Sequence, residues 1–118
     1  MKSFRDLIVW QKSVDFVTEI YSTTKEFPDE EKYGLSSQIR RASVSIPSNV
    51  AEGFGRKSDG DFARFLSIAI GSSYEVQTQI EIAQNIGFMS NETRIKLLDM
   101  LEEVERMLKS LKSKVKKT

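Results

Sequence analysis

Residues Gln38–Arg56 read QIRRASVSIPSNVAEGFGR. Apolar and small residues recur there at Ile39, Ala42, Ile46, Asn49 and Gly53, and Leu35 extends the series upstream. Spacings of three and four place them on one helical face. Pro47 falls inside the series. An interior proline deletes a backbone hydrogen bond and costs ~3 kcal/mol, so a kink is expected near residues 43–47. Gly53 and Gly55, followed by Arg56-Lys57-Ser58-Asp59-Gly60, read as a helix stop and a turn. The segment is thus a helix over roughly 35 to 55, whose apolar face other elements must cover.

Upstream, roughly 4 to 27, Leu7, Trp10, Val14, Val17 and Tyr21 form a helical stripe that Phe16 and Ile20 widen. Pro28 ends that helix, because the residue before a proline is driven out of helical geometry. Pro28-Asp29-Glu30-Glu31 opens a short helical turn, and Gly34 breaks the chain. Downstream, Ser58 or Asp59 caps a third helix reaching about 86, with the stripe Phe62, Leu66, Ala69, Ser73, Val76, Ile80 and Ala83. Its middle, Ile70-Gly71-Ser72-Ser73, has small side chains that permit close helix approach. Gly87 is a C-cap and Ser90 an N-cap for a fourth helix, about 91 to 115, with the heptad Leu97, Leu101, Val104, Leu108, Leu111 and Val115. Four amphipathic helices joined by short loops predict an all-α, antiparallel up-down-up-down bundle, one domain over residues 1–118.

Composition narrows the chemistry. The 118 residues contain no Cys and no His. That removes disulfides, thiolate metal sites, a cysteine nucleophile, the commonest general base and the Glu-x-x-His pairs of di-iron bundles. Eighteen basic residues against seventeen acidic ones give a net charge of +1, so no global field recruits polyanions. The opening MKSFRDLIVWQK lacks an apolar run of signal-peptide length, and no apolar segment reaches the ~18 residues of a membrane span. A cytoplasmic protein is expected.

Two constellations could carry function. The first is polar: Ser45, Ser48, Asn49 and Glu52 on helix two, facing Ser72, Ser73 and Glu75 on helix three. Such groups satisfy one another and fix helix register; Ser45, Asn49, Glu52, Ser72 and Glu75 are read as that structural network. Two carboxylates without a nucleophile–base pair or a dense acidic cluster make neither a hydrolytic site nor a metal cage, so no catalytic, cofactor or metal site is expected. The second is cationic. Arg56, Lys57 and Arg64 gather at the turn between helices two and three, and Arg40 and Arg41 stand about four turns away. With Lys109, Lys112, Lys114, Lys116 and Lys117 they could track phosphates. A solvated charged face is the other reading. Finally, Trp10, Phe16, Phe54, Phe62, Phe65 and Ile70 exceed what one narrow stripe per helix needs, which predicts a face left for another subunit, a wide core being the other reading.

QIRRASVSIPSNVAEGFGR, with FARFLSIAIGSSYEVQTQI, FRDLIVWQKS and PDEEKYGL, resembles the bacterial four-helix proteins encoded within 23S ribosomal RNA intervening sequences, also labelled S23 ribosomal proteins. The resemblance covers nearly the whole chain. It implies an antiparallel four-helix bundle assembled as a homopentamer. Related accessory proteins of diversity-generating retroelements share that assembly, are basic, and bind nucleic acid and a reverse transcriptase. By that analogy Arg40, Arg41, Arg56, Lys57 and Arg64 become nucleic-acid contacts, although the near-neutral charge here departs from the basic relatives. The expectation is a non-enzymatic, homo-oligomeric accessory protein binding RNA or DNA. The alternative is a protein-interaction scaffold that never touches nucleic acid.

Overall fold

The computed structural model describes residues 2–116. Four helices, α1 (Ile8–Thr24), α2 (Leu35–Phe54), α3 (Asp59–Asn85) and α4 (Asn91–Lys116), carry the chain up and down a bundle of 45 × 24 × 20 Å. Short 3-10 turns at Phe4–Asp6 and Asp29–Glu31 precede α1 and α2. No strand occurs among the described residues.

Local chemistry sets the boundaries. The Ser58 hydroxyl accepts from the Asp61 N–H at 3.1 Å, and Ser90 accepts from the Thr93 N–H at the same distance, each capping an N-terminus. At the end of α3 the Phe88 N–H reaches the Ala83 carbonyl and the Gly87 N–H the Gln84 carbonyl, with Gly87 at φ +84°. That is a Schellman closure, and the positive φ is why glycine stands there. The first helix is shorter than the sequence suggests. Ser3 and Asp6 form a capping box around the Phe4–Asp6 turn, Leu7 is extended at φ −74°, ψ 123°, and α1 starts only at Ile8. It ends at Thr24, three residues before Phe27.

The inward face of α1 also differs from the expected one. Val9, Ser13, Phe16, Ile20 and Thr24 are buried, whereas Trp10, Val14 and Val17 lie at the flank and Tyr21 is exposed. Ser13 and Thr24 tolerate burial because their hydroxyls donate to the Trp10 and Ile20 carbonyls of their own helix, at 2.9 and 2.7 Å. With Ile39, Ile46, Val50, Leu66, Val76, Ile80, Leu97, Leu101, Val104 and Leu108, Phe16 and Ile20 form one dry core. Each such side chain is worth about 1.5–3 kcal/mol on burial.

The aromatic surplus is consumed within the chain. Phe16 and Phe65 are buried, and Trp10, Phe54, Phe62 and Ile70 pack against the core. Phe4 meets Trp10 edge-on at 5.2 Å, and Phe54 meets Phe62 at 6.1 Å. These residues therefore do not form an uncovered face; the large apolar side chains left outside include Ile8, Tyr33, Ile68, Ile82, Ile86 and Ile95.

Helix α2 continues through Pro47 without interruption. Pro47 is buried on the inner face, and its missing N–H leaves the Ser43 carbonyl without that helical donor. Close approach between α2 and α3 occurs at Gly53, not at Gly71. A Cβ on Gly53 would stand 2.7 Å from the Phe65 Cβ, while one on Gly71 would meet nothing within 4 Å.

Candidate nucleic-acid interface

The up-down topology brings three chain segments to one end of the bundle: the Phe4–Asp6 turn, the α2–α3 turn and the last turns of α4. Charge is segregated along this axis. Cutting each helix at its midpoint, the half holding residues 2–16, 45–72 and 104–116 carries eleven Lys/Arg and six Asp/Glu. The opposite half, residues 17–44 and 73–103, carries six and eleven. A nearly neutral chain is thus basic at one end and acidic at the other, and the field at the basic end is local rather than global.

Three of the five arginines and lysines singled out as phosphate contacts stand at that end. Arg56 and Arg64 hold their guanidinium carbons 4.7 and 5.1 Å from the same Phe65 ring, which orients both. Arg56 also pairs with Glu52 at 3.1 Å, and Arg64 lies 3.8 Å from Asp61. All four partners are substantially exposed, so these pairs are weak and leave the cations available. Lys57 is exposed between them. Lys109, Lys112 and Lys116 line an adjoining groove with Ile70 and Ser113. Tyr74, by hydrogen bonding and charge, holds the Lys109 ammonium above the ordinary lysine pKa, with its ring 5.3 Å from Nζ. Lys117 lies outside the described residues.

Arg40 and Arg41 are elsewhere, fifteen residues or roughly 22 Å along α2 from Arg56. The Arg40 Nε donates to the Thr24 hydroxyl at 2.7 Å, and its guanidinium sits 4.6 Å over Tyr21, tying α2 to α1. Arg41 is exposed in a polar groove with Gln38, Ala42, Ser45, Ser72 and Glu75.

The polar set resolves into a smaller unit than the five residues read as a network. Ser45 and Ser72 hydroxyls are 2.8 Å apart across α2 and α3, and the Asn49 amide donates to the Ser45 hydroxyl and carbonyl at 2.9 and 2.7 Å. Glu52 turns outward to Arg56, and Glu75 accepts from Gln79 of its own helix at 3.2 Å. The reason is solvation: at the bundle surface a carboxylate keeps its water, whereas hydroxyls and an amide can satisfy each other at a half-buried seam. Sequence reasoning missed a second contact across helices, from Gln77 of α3 to the buried Glu105 of α4. Glu105 sits among the acids of α4, and its spacing, four residues after Leu101 and three before Leu108, is the signal that sets it beside the apolar seam.

Among the described residues no three His, Cys, Asp or Glu side chains gather as a metal site would need, and no helix is long and apolar enough to cross a membrane. Comparison with known proteins places the fold. A crystal structure described as a protein with unknown function from the S23 ribosomal protein family of Bacteroides thetaiotaomicron superposes with a TM-score of 0.83. It covers 90% of this chain and 96% of its own, at 23% identity, a likeness of fold. None of the curated proteins matches. The family described as 23S rRNA-intervening sequence protein matches residues 5–110, nearly the whole bundle. The chain belongs to the 23S rRNA-intervening sequence protein family.

Proposed function

We propose that this protein is a non-enzymatic, homo-oligomeric accessory protein of the cytoplasm that binds structured RNA or DNA through the basic end of its bundle. The observation that carries this reading is the convergence of Arg56, Lys57 and Arg64 with the α4 lysines at one end of a chain whose net charge is only +1. Phosphate binding draws its free energy from counterion release, so a local cluster suffices where net charge does not. Arg41 could extend the contact along α2, while Arg40 serves chiefly to hold α1. The pentamer implied by the resemblance would repeat the basic end five times, giving avidity from individually weak contacts.

Titration of structured ribosomal RNA fragments from low to physiological salt tests the proposal. Binding that persists at ~150 mM salt with a steep log–log slope supports it. Loss of all binding even at low salt removes it and leaves a protein scaffold, a reading favoured by the half-exposed Ile68, Ile82, Ile86 and Ile95.

A further inference from the structure

A second surface at the basic end has a different chemistry. Leu7, Ile8 and Val9 line an open groove of about 450 Å³ with Met107 and Leu111 of α4, and Arg106, Ser110 and Lys114 of the same helix also border it. Ile8 is 57% exposed, a large aliphatic side chain held at the first position of α1. Neither Arg106 nor Lys114 makes an ion pair or a side-chain hydrogen bond among the described residues, in contrast to Lys12, Arg56, Arg64, Arg94 and Lys96. The start of α1 adds to the same sign of potential: no side chain caps it and no acid occupies its first turn.

We infer that this groove docks an amphipathic segment of a partner protein, presenting aliphatic side chains to Ile8, Met107 and Leu111 and carboxylates to Arg106 and Lys114. The walls argue against nucleic acid, because they are aliphatic and thioether and offer bases no ring to stack upon. A methionine wall adapts to varied apolar side chains. The groove follows α4 from Arg106 to Lys114, roughly 12 Å or two helical turns, which matches two successive apolar positions of an amphipathic helix. Its openness to solvent on one side argues against a sequestered acyl chain, whose sites enclose most of the ligand. A single exposed isoleucine, beside a Phe4 and Trp10 pair that is spent on mutual edge-on packing, is too little to anchor a bilayer. The carboxylates of such a segment would supply the partners that Arg106 and Lys114 lack.

The probe is a sixteen-residue helical peptide with leucines on one face and glutamates flanking them, compared with the same peptide carrying lysines instead. Amide chemical shifts of the full-length protein are followed in each titration. The glutamate peptide is expected to perturb residues 7–9 and 106–114, and the lysine peptide to bind at least tenfold more weakly. Ile8→Asp should abolish the perturbation while leaving the fold unchanged, since Ile8 is outside the core and an acid suits the start of a helix. Arg106→Glu with Lys114→Glu should reverse the preference between the two peptides. Equal binding of both peptides, absence of binding, or shifts mapping elsewhere would overturn the inference. So would dodecanoate occupying the groove when the peptide does not, or dilution of the free protein producing the same shifts, which would assign the groove to a lipid or to a second copy.

Discussion

Gly53 and Gly71 both lie inside helices, and their surroundings give them opposite roles. An alanine methyl at 53 would press on the Phe65 Cβ and the Phe62 ring, at 2.7 and 3.0 Å, where two helix backbones have closed on each other. Overpacking of this kind costs ~1–3 kcal/mol. At Gly71 the added methyl meets only solvent, and the usual gain of alanine over glycine in a helix, ~0.5–1 kcal/mol, should appear undiminished. Urea unfolding of Gly53→Ala and Gly71→Ala should therefore move the midpoint in opposite directions; movement in the same direction would mean that the helices adjust at 53. Ser43 is a third informative residue. Its hydroxyl is buried without a partner. Removing a buried unsatisfied donor relieves a desolvation penalty, so Ser43→Ala is expected to stabilise the protein by about 1 kcal/mol, read by the same unfolding experiment.

Between elements, α2 and α3 share the most intimate contact, sealed at one end by Gly53 and at the middle by the Asn49–Ser45–Ser72 chain. Because Ser45 and Ser72 belong to different helices, their bond can define register. A double-mutant cycle of Ser45→Ala and Ser72→Ala should give a coupling energy of ~0.5–1.5 kcal/mol, while a coupling near zero would reduce the pair to incidental contact. Asn49→Leu removes the amide that holds Ser45 in place. It should preserve helicity by circular dichroism while broadening the mass distribution in sedimentation. An unaltered distribution would show that this polar seam plays no part in assembly. Arg40 over Tyr21 and its bond to Thr24 add a polar tie to the apolar α1–α2 contact and leave that arginine half-buried.

For the whole molecule, the defining property is axial charge segregation. Arg56→Ala, Lys57→Ala and Arg64→Ala together should flatten the salt dependence of RNA affinity by roughly two to three units, near 0.9 per lost phosphate contact. Arg40→Ala should leave the slope unchanged. Equal effects from both variants would place the polyanion along the flank of α2 rather than across the end. A polyanion bound at the basic end would be repelled by the acidic half, which would favour one orientation of approach.

Much of this architecture is legible in the chain alone. Helix number, the turns at Pro28, Gly55 and Gly87, the caps at Ser58 and Ser90, and the inward stripes of α2, α3 and α4 all follow from short-range spacing, because helix periodicity and capping are local effects. The face that α1 turns inward was not legible, since two apolar stripes one residue apart fit the same spacing and only packing against α2 and α4 chooses between them. The closeness at Gly53 rather than Gly71, the separation of Arg40 and Arg41 from Arg56, and the exclusion of Glu52 and Glu75 from the polar seam also depend on residues distant in sequence. So does the basic end, for which the individual lysines and arginines are plain to see. Periodicity and caps, both local, are enough for the helices and their order. Which charges and which small residues meet depends on how four separate segments lie against one another, and no single segment carries that information.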